Sequence, residues 1–285
     1  MKRLSDISTI KEILSKHGFT FSKSLGQNFL INPSVCPRMA EYAGAGAGVG
    51  VIEIGPGIGV LTNELCQLAY KVVAVELDKR LLPVLDETLA EYDNVKIVNA
   101  DVLELDLKQL IEEEFAGMEV VVCANLPYYI TSPVIMKLLE ERLPVKAITV
   151  MVQKEAAQRI CAKVGVRMCG AVTVAVNYYA GPELLFHVSA GSFMPAPKVD
   201  SAVIRLNVRE KPPVDADKEK FFAVVKASFG QRRKVIANSL SAGLGMGKEK
   251  VLAILERAGV PQNTRAEALR LEDFAAIANA WEDLA

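Results

Sequence analysis

Histidine is almost missing from this chain: there are two, at positions 17 and 187, and the five cysteines stand singly at 36, 66, 123, 161 and 169. With no C-x-x-C pair and no cysteine–histidine cluster, a metal site is not expected. An odd, scattered set of thiols also excludes a disulfide framework and fits free thiols in a reducing compartment. An excess of charge of one sign is missing too, since 33 Lys and Arg against 34 Asp and Glu leave a net charge of −1. Any surface for nucleic acid must therefore be local. No apolar run reaches the roughly 18 residues that a membrane-spanning helix needs. The opening residues, MKRLSDISTIKEILSKHG, turn polar at once and lack a signal-peptide centre. These absences predict a cytoplasmic chain with no membrane partner.

What is present is alternation. From about residue 49, apolar runs at 49–55, 71–77, 95–100, 119–125 and 146–153 alternate with amphipathic stretches at 58–69, 79–92, 107–116 and 132–142. The runs are nearly continuous in Val and Ile, as expected of strands covered on both faces. Five strands alternating with four helices predict an α/β fold with a doubly wound parallel sheet. Residues 171–180, AVTVAVNYYA, are β-branched yet carry apolar residues at 172, 175, 176 and 179, so strand and helix both remain open. Residues 183–193 and 197–208 look like an antiparallel pair closing the sheet. The charged, proline-bearing stretch 209–218 reads as a linker, and the pattern beyond it is helical. The expected division is an N-terminal helical extension over 1–22, an α/β domain over 23–210 and a small all-helical domain over 214–285.

The first strand-to-helix turn, EIGPGIGVLT, places Gly55, Gly57 and Gly59 where backbone can come close to a ligand. A dinucleotide fingerprint needs its third glycine where Val60 stands, so this G-x-G-x-G loop suits a nucleoside without a pyrophosphate. By itself a tight, ligand-free turn is a fair alternative. Glu76 ends the second strand, about 20 residues on, where an acid can accept from both ribose hydroxyls. Asp101 ends the third, although an Asp before a helical stretch is also a good cap. Together these strand ends point to an adenosine-containing ligand.

The fourth strand ends in NLPYYI, residues 125–130. Pro127 fixes its own φ and holds Leu126 extended, so the segment is stiff. The Asn125 side-chain oxygen and backbone carbonyl are two acceptors that suit an –NH2 group, and Tyr128 can lay a ring against a planar base. In isolation an Asn-x-Pro turn with a packed tyrosine is the blander reading. Beside an adenosine site, the segment reads as a clamp for an exocyclic amine. Hydrogen bonds from the amine to Asn125 would favour pyramidal nitrogen and free its lone pair for attack on a sulfonium methyl, with catalysis mostly by positioning.

QNFL (27–30), EIGPGIGVLT (53–62), VELD (75–78), ADVL (100–103), NLPYYITSPVIMKLL (125–139), MVQKEAAQRI (151–160), FMPAPKVDSAVIRL (193–206) and FFAVVKASFGQRRKVIANSL (221–240) together resemble the small-subunit rRNA adenine dimethyltransferases. The resemblance runs from about residue 10 to the end. It implies a Rossmann-like class I S-adenosylmethionine-dependent methyltransferase sheet with a small C-terminal helical domain. It further implies S-adenosylmethionine as cofactor, held by Asn28, Leu30, Gly55 with Gly57, Glu76, Asp101 and Asn125. Asn125 and Tyr128 would hold the target adenine, and Phe193 would stack on its other face or gate the pocket. The implied product is two adjacent dimethyladenosines in a hairpin near the 3′ end of small-subunit rRNA, made on a pre-ribosomal small subunit by a monomeric enzyme. Cys169-Gly170 departs from the tyrosine-glycine of the family.

Residues 196–240 carry ten Lys and Arg against five Asp and Glu, a local excess in a chain that is otherwise acidic. Lys198 and the cluster Arg232, Arg233 and Lys234 are the expected RNA contacts, although a charged helix start is commonly only solvated. Two rivals share the site: a large-subunit rRNA adenine methyltransferase of the antibiotic-resistance type, and a non-catalytic RNA-binding assembly or transcription factor. The long PKVDSAVIRL segment and the basic helix weigh against the first, and the intact Glu76, Asp101 and NLPY set against the second.

Overall fold

The computed structural model describes residues 3–19, 27–231 and 233–283. They divide into two compact units, one of residues 1–157 with 182–208 and one of 158–181 with 209–285. In the first, helix α1 (Ile7–Lys16) precedes strand β1 (Phe29–Leu30) and helix α2 (Val35–Ala43). The alternation then runs β2 (Val49–Ile54), α3 (Val60–Leu68), β3 (Lys71–Glu76), α4 (Leu82–Thr88), β4 (Val95–Asn99), α5 (Leu107–Glu114), β5 (Glu119–Asn125), α6 (Thr131–Glu140) and β6 (Ala147–Gln153).

Seven strands form the main sheet in the order β4-β3-β2-β5-β6-β9-β7, where β7 is Ala180–Val188 and β9 is Ser201–Val208. The five strands expected from the alternation pair in parallel, with β2 at the centre between β3 and β5. Their Val and Ile side chains, among them Val51, Ile52, Val73, Val122 and Ile148, are fully buried. Strand β9 runs antiparallel to β6, its Val203 opposite Met151. Residues 193–194 leave this sheet. As strand β8 (Phe193–Met194) they pair antiparallel with β1, Phe29 opposite Met194 and Leu30 opposite Phe193. The ribbon joins two motifs far apart in sequence and was not legible in it.

The second unit is helical. Helix α7 (Lys154–Ile160) leads toward it, and α8 (Ala171–Tyr179), α9 (Lys218–Phe229), α10 (Ile236–Leu244), α11 (Lys248–Arg257) and α12 (Leu271–Asp283) make it up. The ambiguous stretch is thus a helix. The Thr173 hydroxyl accepts from the Gly170 N–H at 3.0 Å and donates to the Arg159 carbonyl at 2.8 Å, which fixes its start. Six of its nine residues are buried, so no polar face marks the helical period. Tyr178 packs on Phe221 and Phe222 with ring centres 4.8 and 5.0 Å apart, an aromatic core for this unit. Residues 158–181 therefore belong with the helices, a grouping the expected boundary at 214 did not contain.

Candidate active site

A cleft opens at the carboxyl ends of β2, β3 and β5, where an open α/β sheet binds its ligands. Its empty space, with the open mouth and adjoining solvent included, is about 1080 Å³. The loop between β2 and α3 forms its floor, with Gly55 at φ +70°, Gly57 at +62° and Gly59 at +88°. A side chain at Gly57 would also lie 3.2 Å from the Phe29 ring, so the β1–β8 ribbon and the loop approach through that glycine. Only glycine takes this path without strain.

Glu76 is buried at the end of β3, and its two carboxylate oxygens accept from the Gly57 N–H at 3.2 Å and the Asp78 N–H at 2.8 Å. Burial pushes its pKa up, and those backbone donors oppose the rise. Each oxygen keeps a lone pair, so the acid can still accept from a ribose. Asp101 stands two residues beyond the end of β4, and its Oδ1 accepts from the Leu103 N–H at 2.9 Å. It does not cap α5, whose first turn is capped by Asp106 at 3.0 Å. The second oxygen of Asp101 is left for a ligand amine.

Asn125 closes β5, partly exposed, and its side-chain amide makes no hydrogen bond among the described residues. The turn after it is rigid: Pro127 stands at φ −55°, and Tyr128–Ile130 form one 3-10 turn leading into α6. The Tyr128 hydroxyl is 2.7 Å from Ser201 Oγ at the start of β9, which pins the half-buried ring. Phe193 is buried at 3 % exposure opposite Leu30 in the ribbon, so it forms part of the cleft wall.

The cleft brings together Asn28, Leu30, Gly55, Gly57, Glu76, Asp101, Asn125, Tyr128 and Phe193, which the sequence had placed in one site. Lys198 lies elsewhere, exposed between β8 and β9. Arg233 and Lys234 are exposed in the second unit between α9 and α10, and Arg232 lies outside the described residues. Among the described residues no group of His, Cys, Asp and Glu is placed to hold a metal ion, and no helix is long and apolar enough to cross a membrane.

Three residues escaped the sequence reading. Ser201 carries no motif signal except its place in PKVDS. Asp78, in VELD, is nearly buried: its carboxylate accepts from Arg80 Nε at 2.9 Å, from Arg80 Nη2 at 2.7 Å and from Gln27 Nε2 at 2.8 Å. The Arg80 bonds, with Gln27, hold its pKa below the ordinary carboxylate range. This acid ties the end of β3 to the segment bearing Asn28. Glu53, within β2, is 1 % exposed and lines the cleft; its Oε2 meets no hydrogen-bond geometry, and burial raises the acid's pKa against the lowering effect of the nearby Thr62 hydroxyl. An acid inside VGVIEIG was visible as the only charge in that run.

Among the described residues the lining includes Glu53, Glu76 and Asp101 and no lysine, arginine or histidine. Positive-φ glycines, a ribose-ready carboxylate and a buried acid are a donor and acceptor set that fits an adenosyl ligand carrying positive charge.

The model of the ribosomal RNA adenine dimethylase family matches residues 18–283. The "Ribosomal RNA small subunit methyltransferase A" of Anoxybacillus flavithermus is 51% identical over 280 residues, 95% of each chain, and that of Alkaliphilus oremlandii is 47% identical over 281 residues, 98% of each. Among solved structures, a dimethyladenosine transferase from Plasmodium falciparum superposes with a TM-score of 0.75 at 25% identity, over 90% of this chain and 98% of that one. The 23S rRNA methyltransferase ErmE superposes at 0.68 and 29% identity, over 90% of this chain and all of the other. A family model spanning nearly the whole sequence, joined by relatives at about half identity along their full length, places this chain in the ribosomal RNA adenine dimethylase family.

Proposed function

We propose that this chain transfers methyl groups from S-adenosylmethionine to the exocyclic amines of two adjacent adenosines in a hairpin near the 3′ end of small-subunit rRNA. It acts as a monomer in the cytoplasm, on a pre-ribosomal small subunit. The observation that carries the reading is an unbonded Asn125 amide beside a pinned Tyr128 ring, in the same cleft as Glu76 and the glycine loop.

Bound in that cleft, the cofactor supplies an electrophilic methyl group on a sulfonium. Asn28, Leu30, Gly55, Gly57, Glu76, Asp101 and the backbone of Asn125 hold it. Glu76 accepts from the ribose and Asp101 from the adenine amine. Asn125 accepts both amine protons of the target base, which turns the nitrogen lone pair out of the ring plane. Tyr128 supports one face of that base, its position set by Ser201, and Phe193 walls the other side. Positioning of this kind supplies up to roughly 7–11 kcal/mol of a barrier. The amine proton is acidic once the nitrogen is alkylated and passes to water. To enter the cleft the adenine leaves its stack, at a cost of a few kcal/mol. Aromatic contact of about 1–3 kcal/mol per base offsets much of this. Lys198, Arg232, Arg233 and Lys234 neutralise phosphates and set the salt dependence of binding.

The test is nucleoside mass spectrometry after incubating the pure protein and S-adenosylmethionine with unmethylated small subunits, and in parallel with large-subunit RNA. Dimethyladenosine in the small-subunit sample alone is the expected result. Product only in large-subunit RNA moves the chain to the resistance-type activity. No product in either, with cofactor still bound, makes it a non-catalytic factor.

A further inference from the structure

Two aromatic walls of the cleft, the Tyr128 ring and Phe193, come from distant parts of the chain, yet both are fastened within one dipeptide, Asp200-Ser201. The Ser201 hydroxyl lies 2.7 Å from that of Tyr128. The Asp200 carboxylate accepts from the Ala190 N–H at 3.0 Å, at the start of a 3-10 turn over Ala190–Ser192. Ser192 is buried; its carbonyl accepts from the Ile31 N–H at 2.8 Å and its hydroxyl from the Asn32 amide at 3.2 Å. Phe193 follows directly, opposite Leu30. The backbone of Asp200 is held as well, since its carbonyl accepts from the Lys154 N–H at 3.0 Å, just beyond the Gln153–Ser201 pair of the β6–β9 ladder. The clasp from 190 to 200 closes a short segment in which Pro195 and Pro197 fix two φ angles, so little chain entropy opposes it. Burial first, and the Asp200 charge in smaller part, push the Tyr128 phenol pKa up, which puts this carboxylate within electrostatic reach of the ring's hydroxyl.

We propose that Asp200 is a positioning residue for the target adenine: by clasping the 190–192 turn onto the start of β9, it sets the gap between the Phe193 wall and the Tyr128 ring. The inference rests on the methyl transfer proposed above and deepens it, because it names the side chain that holds the two walls in register. Asp200 does not line the cleft, so it acts through Phe193 and Tyr128 rather than on the base. Catalysis by positioning loses rate when the reacting groups shift by about 1 Å, which makes the width of this gap matter to the chemical step.

Two variants test the clasp. Asp200→Ala removes the acceptor; Asp200→Asn keeps an acceptor oxygen at the same reach and removes only the charge. Both are compared with the unaltered protein by kcat and KM on unmethylated small subunits, and by calorimetric titration with S-adenosylhomocysteine. In Asp200→Ala kcat should fall about 10–100-fold. KM for the subunit should stay within about twofold, because phosphate contacts elsewhere dominate that binding. S-adenosylhomocysteine should bind with unchanged Kd and stoichiometry, which a loss of folded protein would lower. In Asp200→Asn kcat should return to within about threefold of the unaltered protein, since the hydrogen bond is restored. An unchanged kcat in Asp200→Ala, an equal loss in both variants, or a parallel loss of S-adenosylhomocysteine binding overturns the proposal, while methylation by the unaltered protein keeps the proposed function intact. Absence of dimethyladenosine with the unaltered protein removes the function and this proposal together.

Discussion

The two halves of the cleft are made in different ways. The half assigned above to the cofactor is built mainly from consecutive strand ends, β2, β3, β4 and β5, each supplying one group near its carboxyl end (the glycine loop, Glu76, Asp101 and Asn125), with Asn28 and Leu30 added from the β1 segment. The substrate half is assembled from distant pieces. Tyr128 follows β5 but is pinned by Ser201 of β9, and Phe193 is placed by pairing with Leu30. The first half follows mostly from sheet topology. The second depends on contacts that close long loops, and this is where one target can be told from another. Binding energy and chemistry should therefore separate along this line.

The sharpest way to break that separation is Asn125→Ala. Turnover on unmethylated small subunits should fall by about 10²–10³ or more, as when one preorganised polar group is lost from an active site. The cofactor Kd should stay within a few fold, because the backbone of Asn125 is retained. Parallel loss of both would merge the halves. Glu76→Ala is the mirror experiment: cofactor Kd should rise about 10–100-fold, with kcat at saturating cofactor largely kept, the signature of lost uniform binding. Replacing Arg232, Arg233 and Lys234 together with alanine should weaken subunit binding about tenfold. It should also lower the salt slope by roughly 0.7 per phosphate contact on single-stranded RNA, with cofactor affinity unmoved. An unchanged slope would return the cluster to solvent.

Ser201→Ala removes one hydrogen bond worth about 1 kcal/mol net. A fivefold loss in kcat/KM for RNA, without change in cofactor Kd, would place this serine in the substrate half. The smallest effect concerns stability. Glu53 holds its proton in the folded state up to about pH 8, whereas an unfolded glutamate loses it near pH 4.3. The folded state thus binds more protons across that window, and the native protein loses stability as pH rises through it. Glu53→Gln should raise the Tm of the free protein by at least about 2–4 °C at pH 8, and by little at pH 4, measured by calorimetry.

This division also explains what could be read without coordinates. Strand ends, glycines and Glu76 are local signals, so the parallel sheet and the gathering of Gly55, Glu76, Asp101 and Asn125 at one cleft were legible from alternation and spacing. The β1–β8 ribbon was not, because a two-residue strand has no periodicity and its partner lies at the other end of the unit. Ser201 had no signal of its own, since a serine at a strand start is ordinary until a tyrosine hydroxyl lies 2.7 Å away. Helix α8 stayed ambiguous because burial on nearly all sides removes the polar face by which a helical period is recognised. Asp101 was read correctly as a strand-end acid, but its capping alternative fails because the backbone bends to Leu103 and leaves α5 to Asp106.

The ribbon also has a consequence for the timing of synthesis. Leu30 leaves the ribosome early, yet its partner Phe193 and the Ser201 that holds Tyr128 follow only after all the parallel strands. Such long-range closures form late because the chain entropy between their ends must be overcome first. A growing chain can thus complete its strand-end groups while the ribbon wall of the cleft is still open. Leu30 and Phe193 therefore both reach their places in the cleft wall only when the α/β unit is fully made.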